Sequence, residues 1–307
     1  MPSWNDILFE IQRTVRKNSN GQVSQDFNSV LVKYIRSFAE YRKRNVIVYY
    51  SDFLNSIKGP NIDINDSDMT GFMNCIHGLD KTKSLDLILH TPGGNPLATD
   101  AIVKYLRKMF GKNIEVFVPQ MAMSAGTMLA CSCKTIWMGK QSSLGPIDPQ
   151  FNGIPAFNIK KEFEEAKKEL VTNPESFRNW QILLSKYPPA FYYTVCDYIN
   201  LSSKLVKDWL ESCMFSKSKN AFEKADKIVS KLNANNGSHA KHFDLEECKK
   251  MGLKIKQFED DSNLQDLVLS IFHCCSICGN QTPVCKIIAN QNNKMYVVNG
   301  IVNLGVK

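Results

Sequence analysis

Four short apolar runs recur along the chain with room for a helix between most of them: Asn45-Val-Ile-Val-Tyr-Tyr50, Leu85-Asp-Leu-Ile-Leu-His90, Ile114-Glu-Val-Phe-Val118 and Thr135-Ile-Trp-Met138. Each is too short for a buried helix and rich in β-branched, leucine or aromatic residues, which marks a strand. Between them, residues 66–79 and 98–110 place apolar side chains at helical spacing, the second ending at Gly111, and another helix starts within 124–131. Strands alternating with helices of this length fold as βαβ units, whose crossovers join parallel strands in a right-handed sense. The chain is therefore read as an α/β protein with a mainly parallel sheet.

Ahead of the first strand, residues 27–42 are helical by spacing, and a polar linker near 18–25 precedes them. At the start, Trp4, Leu8, Ile11 and Val15 fall on one face of a helix, suited to docking on the domain or on a lipid surface, with the domain preferred. From about residue 159 helix follows helix, at 160–170, 175–186, 202–213 and 221–232. Residues 244–251 form a short helix stopped by Gly252, and 263–272 form another. Val284-Cys-Lys-Ile-Ile-Ala289 and Lys294-Met-Tyr-Val-Val298 then read as a terminal hairpin. These shifts divide the chain into an amphipathic segment and linker at 1–25, a main domain at 26–260 with a helical insertion at about 159–235, and a helix-and-hairpin extension at 261–307.

Composition narrows the class of function. A hydrophobic content of 43% with 22% charged residues is that of a globular protein. The formal net charge of +8 is spread over mixed-sign stretches such as Arg42-Lys43-Arg44 and Lys160-Lys161, which read as solvated faces, so no nucleic-acid partner is expected. No apolar run is long enough to span a bilayer and no hydrophobic leader follows Met1, which sets a cytoplasmic expectation with peripheral membrane contact left open. Ten cysteines in that setting are reduced thiols. His273, Cys274, Cys275, Cys278 and Cys285 include one Cys-x-x-Cys spacing suited to zinc, but a second is absent and buried thiols are preferred. No metal or cofactor is expected.

Two stretches stand where α/β sheets carry their sites, just beyond the carboxyl ends of strands. One is His90-Thr-Pro-Gly-Gly-Asn95; the other is Met121-Ala-Met-Ser-Ala-Gly-Thr-Met128. A serine entering a helix holds its hydroxyl near unpaired N–H groups, and Gly93 and Gly94 leave a backbone amide open to a ligand. Ser124 is thus a candidate nucleophile, and the amides near Gly94 and Ala125 a candidate oxyanion hole. The plain alternative makes Ser124 a helix cap and Pro-Gly-Gly a turn. His90, at the end of its strand, is read as a loop-bonding residue.

The order strand, Thr91-Pro-Gly-Gly-Asn-Pro96, helix, strand, Met123-Ser-Ala-Gly-Thr127, then Ser143-Leu-Gly-Pro-Ile-Asp-Pro149, resembles the ClpP/crotonase superfold. Within it the chain is similar to the serine dehydrogenase proteinase (SDH) family, relatives of ClpP and signal peptide peptidase A. The likeness is dense over 45–155 and returns at Ser238-His-Ala-Lys-His-Phe-Asp-Leu-Glu-Glu-Cys-Lys-Lys-Met-Gly-Leu253. It implies an ATP-independent serine endopeptidase acting on peptides or unfolded proteins through an acyl-enzyme on Ser124, assembled as a homo-oligomer. Gly93, Gly94 and Ala125 would frame its oxyanion hole.

A serine needs a base, and where ClpP has its histidine this chain has Asp148. His239 and His242 fall near the place of ClpP's acidic member, which suggests a Ser124, His239 and Asp148 set with acid and imidazole exchanged along the chain. His242 is the substitute. A Ser–Lys dyad, as in signal peptide peptidase A, would draw on Lys160, Lys161 or Lys167 instead. Two other classes stay open: an inactive peptide-binding scaffold of the same fold, and crotonase-type acyl-CoA chemistry.

Overall fold

A computed structural model describes residues 3–17, 23–55, 62–233 and 241–300, and in it the four apolar runs stand side by side in one sheet. Along the chain run α1 (Trp4–Arg13), β1 (Val15–Lys17), β2 (Val23–Gln25), α2 (Phe27–Arg42), β3 (Asn45–Ser51), α3 (Asp68–Ile76), β4 (Leu85–His90) and α4 (Pro96–Phe110). Next come β5 (Ile114–Val118), β6 (Met121–Ala122), α5 (Ala125–Cys131), β7 (Thr135–Met138), β8 (Ser143–Leu144), β9 (Gln150–Phe151) and β10 (Ile154–Pro155). The helical block is α6 (Ala156–Thr172), α7 (Phe177–Leu184), α8 (Phe191–Trp209) and α9 (Ala221–Asn233). The chain closes with α10 (Leu245–Met251), β11 (Ile255–Gln257), α11 (Ser262–Gln281), β12 (Val284–Asn290) and β13 (Met295–Asn299).

The sheet order is β11-β7-β5-β4-β3-β12-β13, parallel from β11 to β3 and antiparallel over the last two junctions. This is the expected α/β architecture with its mainly parallel sheet, helical insertion and C-terminal hairpin. Every residue of β3 and β4 is buried, as befits strands covered on both faces. The period of two then sorts side chains between layers. Val46, Val48 and Tyr50 pack with α1, α2 and α11, whereas Ile47, Tyr49, Leu87 and Leu89 pack with α3, α4 and the helices that follow β6. Ile7 and Ile11 seat α1 on the protein itself.

Three elements differ from the sequence reading. The Arg42-Lys43-Arg44 run is no solvated face: Arg42 and Arg44 both donate to Asp86, which is buried in β4, and Arg42 also reaches Glu115. An acid inside a strand needs such partners, and that demand outweighs local polarity. α8 starts at Phe191, just past Pro188 and Pro189, and its last turn widens into a π-helix through Met214, so the predicted start at 202 is late. α11 continues to Gln281 because Cys274, Cys275 and Cys278 act as small buried apolar residues on its inner face.

A second, two-stranded sheet sets up the site. β6 and β8 pair in parallel through Met121 with Ser143 and Ala122 with Leu144. Single bridges extend it to Thr91 on one side and Phe243 on the other. The segments that follow β4 and β5 are thereby tied together beyond the carboxyl ends of both strands.

Candidate active site

The bridge between Thr91 and Ala122 fixes two loops against each other. Thr91 N–H donates to the Met121 carbonyl at 3.1 Å, and Met123 N–H donates to the Thr91 carbonyl at 3.0 Å. Ser124 follows with φ 49° and ψ −116°, a conformation that L residues rarely adopt and that costs about 1–3 kcal/mol unless the surroundings enforce it. Here Gly126 N–H closes onto the Met123 carbonyl at 2.7 Å and leaves no space for a larger residue, since a Cβ on Gly126 would lie 2.5 Å from Thr91 Cγ2. Ser124 makes no capping hydrogen bond to α5, so the plain helix-cap reading fails. The residue lines a cavity of about 360 Å³ with Pro92, Gly94, Ala125, Met128 and Ile147.

The two glycines differ in what they pack against. Gly93 has φ 104°, and a Cβ there would lie 2.6 Å from the Met123 carbonyl, 2.7 Å from Ser124 Cβ and 2.9 Å from Ala125 N. Gly93 is therefore the floor under the serine turn. Gly94 has φ 148° and presses on the backbone of Ile64. Ile64 N–H donates to the Gly93 carbonyl at 2.7 Å and its carbonyl accepts from Asn95 N–H at 2.8 Å, so both bonds straddle Gly94. Neither Gly94 N–H nor Ala125 N–H has a hydrogen-bond partner among the described residues. Asn95 caps α4 by accepting from the Leu97 and Ala98 N–H groups, with Pro96 as the first helical residue.

Thr127 clips this turn to the next loop: its Oγ1 donates to the Ala122 carbonyl at 2.7 Å and accepts from Gly145 N–H at 2.9 Å. The clip holds the segment 145–149, in which Ile147 and Pro149 line the cavity while Asp148 is buried and does not. His239 lies outside the described residues. His242 bonds through Nδ1 to Ser143 Oγ at 2.9 Å and does not line the cavity. Lys160 and Lys161 face Glu164 and Glu165 one helical turn on, at 3.8 and 3.5 Å, and Lys167 is exposed. Asp63, Gln150, Tyr198 and Ser202 line the cavity and were missed in the sequence. For Tyr198 and Ser202 a signal existed, because they stand one turn apart on α8, but the late start assigned to that helix hid Tyr198.

His90 plays the bonding role expected of it. It is buried against Tyr50, Phe53 and Phe272, and its Nδ1 accepts from Met121 N–H at 3.4 Å. Burial pushes its pKa down to about 4, with Asp52 opposing. A folded-state value below the unfolded one means that the unfolded chain takes the proton first, so stability is full above about pH 6.5 and is lost as pH falls towards 4. Urea unfolding at pH 4.5 should show about 2–3 kcal/mol less from this residue than at pH 7, and His90→Phe should flatten that difference. An unchanged slope in the variant would remove His90 as its source. The thiols Cys274, Cys275, Cys278 and Cys285 are buried, and no group of three or more metal-ligating side chains occurs among the described residues.

The chain thus sets a strained serine and two close-packed glycines beyond the strand ends of a mainly parallel sheet. Residues 27–175 match the family described as ClpP-like SDH-type serine proteinase. The chain is 30% identical to the uncharacterized protein MJ0137 of Methanocaldococcus jannaschii over 210 residues, 68% of this chain and 64% of that one. To the uncharacterized protein MJ1495 of the same organism it is 29% identical over 173 residues, 56% and 51% of the two chains. The chain thus spans between half and two thirds of these relatives. Among solved structures, a serine-to-alanine mutant of the 1510-N membrane-bound stomatin-specific protease overlaps 67% of this chain and 79% of its own, with 18% identity and a TM-score of 0.37. A lysine-to-alanine mutant of that protease in complex with a substrate peptide overlaps 59% and 63%, with 21% identity and a TM-score of 0.34. No described helix is long and apolar enough to cross a membrane.

Proposed function

We propose that this chain is a serine endopeptidase that works without a nucleotide or a metal. Ser124 Oγ adds to a peptide carbonyl lying in the cavity, and the amides of Gly94 and Ala125 receive the oxygen as it becomes negative. The tetrahedral intermediate expels the amine, and water then hydrolyses the ester on Ser124. Donors held ready in this way contribute about 3–4 kcal/mol each to the transition state. The observation that carries the reading is the backbone of Ser124, held in a strained turn with no side-chain cap bond to α5, at the wall of a cavity also bordered by Gly94 and Ala125.

For the proton, the reading takes His239 as base, oriented by Asp148. Support comes by exclusion: His90, His242, Lys160 and Lys161 each have other partners and none lines the cavity. The family match supports peptides or unfolded protein as the substrate class. A homo-oligomer is also proposed, because α7 buries none of its side chains and exposes Phe177, Ile182 and Leu183.

A fluorophosphonate probe tests the whole scheme. It should label the protein at Ser124, with labelling slowed at least about a thousandfold in His239→Ala and unchanged within about twofold in Lys160→Met and Lys161→Met. Fast labelling of His239→Ala with loss in a lysine variant would transfer the base to that lysine. A folded protein that does not label at all would favour the scaffold reading.

A further inference from the structure

We infer that a buried trio, Lys286, Asp68 and Tyr49, positions the Gly94 amide; this rests on the reading of Gly94 as an oxyanion donor. Lys286 and Asp68 form an ion pair of 2.7 Å whose side chains are both 0% exposed. The other Asp68 oxygen accepts from Tyr49 OH at 2.7 Å and from Asn65 N–H at 3.1 Å. Lys286 Nζ also donates to the Asp63 carbonyl at 2.8 Å. Three elements distant in sequence, β12, β3 and the start of α3, thus meet on one short segment.

That segment is held on both sides of Ile64, at the Asp63 carbonyl and at the Asn65 amide. Ile64 is the residue whose N–H and carbonyl straddle Gly94, and against whose backbone Gly94 has no room for a Cβ. The direction of the Gly94 N–H is therefore set by a lysine on the C-terminal hairpin. Stability alone is a poor reason to keep such a pair, because a buried ion pair is often matched or bettered by apolar residues of equal volume. Fixing one register of a loop is a reason, since moving Ile64 breaks four hydrogen bonds at once. Lys286 and Asp68 are positioning residues here and touch no substrate.

The test is the double variant K286M/D68N, which removes both charges without leaving one buried alone and keeps acceptors for Tyr49 and Asn65. Amide hydrogen exchange is read at Ile64 and Asn95, with Leu87 in the centre of β4 as the global control, together with the fluorophosphonate labelling rate. The expected result is exchange at Ile64 and Asn95 faster by about tenfold or more with Leu87 unchanged. Labelling should fall by about tenfold, and in peptide hydrolysis the loss should sit in kcat with KM kept. Exchange within about twofold of the parent, exchange raised equally at Leu87, or full-speed labelling despite a loosened Ile64 would each overturn the inference. Should the double variant not fold, Tyr49→Phe, which removes a single bond of the trio, is read in the same way. If the parent protein itself fails to label, the peptidase reading falls, and the exchange comparison alone decides whether the trio holds this loop.

Discussion

Replacing Ser124 with alanine should reduce peptide hydrolysis and fluorophosphonate labelling by about a millionfold, the scale set by loss of an activated nucleophile elsewhere. The more telling variant is Ser124→Gly. It removes the same hydroxyl, yet glycine adopts φ 49° and ψ −116° without the penalty that serine bears. Relief of about 1–3 kcal/mol of backbone strain, less about 0.5–1 kcal/mol for the extra freedom of glycine in the unfolded chain, predicts a variant that is inactive and more stable by about 1 kcal/mol. Urea unfolding of the two variants side by side measures this. A Ser124→Gly variant less stable than Ser124→Ala by about 0.5–1 kcal/mol, the cost of glycine's freedom alone, would mean that the turn holds no strain for function to exploit.

Gly93→Ala should come next in size. Its methyl group would meet the Met123 carbonyl, Ser124 Cβ and Ala125 N at 2.6–2.9 Å, and at least two of these atoms belong to backbone that cannot swing aside. The serine turn must shift bodily, and a displacement of about 1 Å at the reacting group costs on the order of a hundredfold in rate. The labelling rate should accordingly fall by at least about a hundredfold, with a loss of about 1–3 kcal/mol in stability from overpacking. Gly111→Ala is the control. It also has a positive φ, 67°, but a Cβ there meets nothing within 4 Å, so it should lose some stability and keep the full labelling rate. If Gly93→Ala labels as fast as the parent, Gly93 is not the floor of the site.

Much of the scaffold was legible because its strands are short and apolar and the residues that end them are glycine, proline and asparagine. The same local chemistry singles out Ser124, Gly93 and Gly94 as candidates, and each adopts a positive φ in the structure. Contacts that join distant segments were not legible. Nothing around Asp68 or Lys286 in the sequence says that the two meet, and nothing around Arg42 shows that a buried Asp86 is its partner. Asp63 and Tyr198 reach the cavity from segments separated from Ser124 by entire helices or strands. The hairpin at 284–299 looked like an appendage and is instead two strands of the central sheet, with β12 beside β3. Periodicity reports which face of an element is buried, not which partner buries it.

The central claim is that the Ser124 hydroxyl and the Gly94 and Ala125 amides act on one bound carbonyl group. A crystal structure of the protein after reaction with a fluorophosphonate tests it directly. The prediction is a single phosphorus bonded to Ser124 Oγ, with its phosphoryl oxygen about 3 Å from both Gly94 N and Ala125 N. An adduct on another residue, or a phosphoryl oxygen turned to solvent with both amides unpaired, would contradict it.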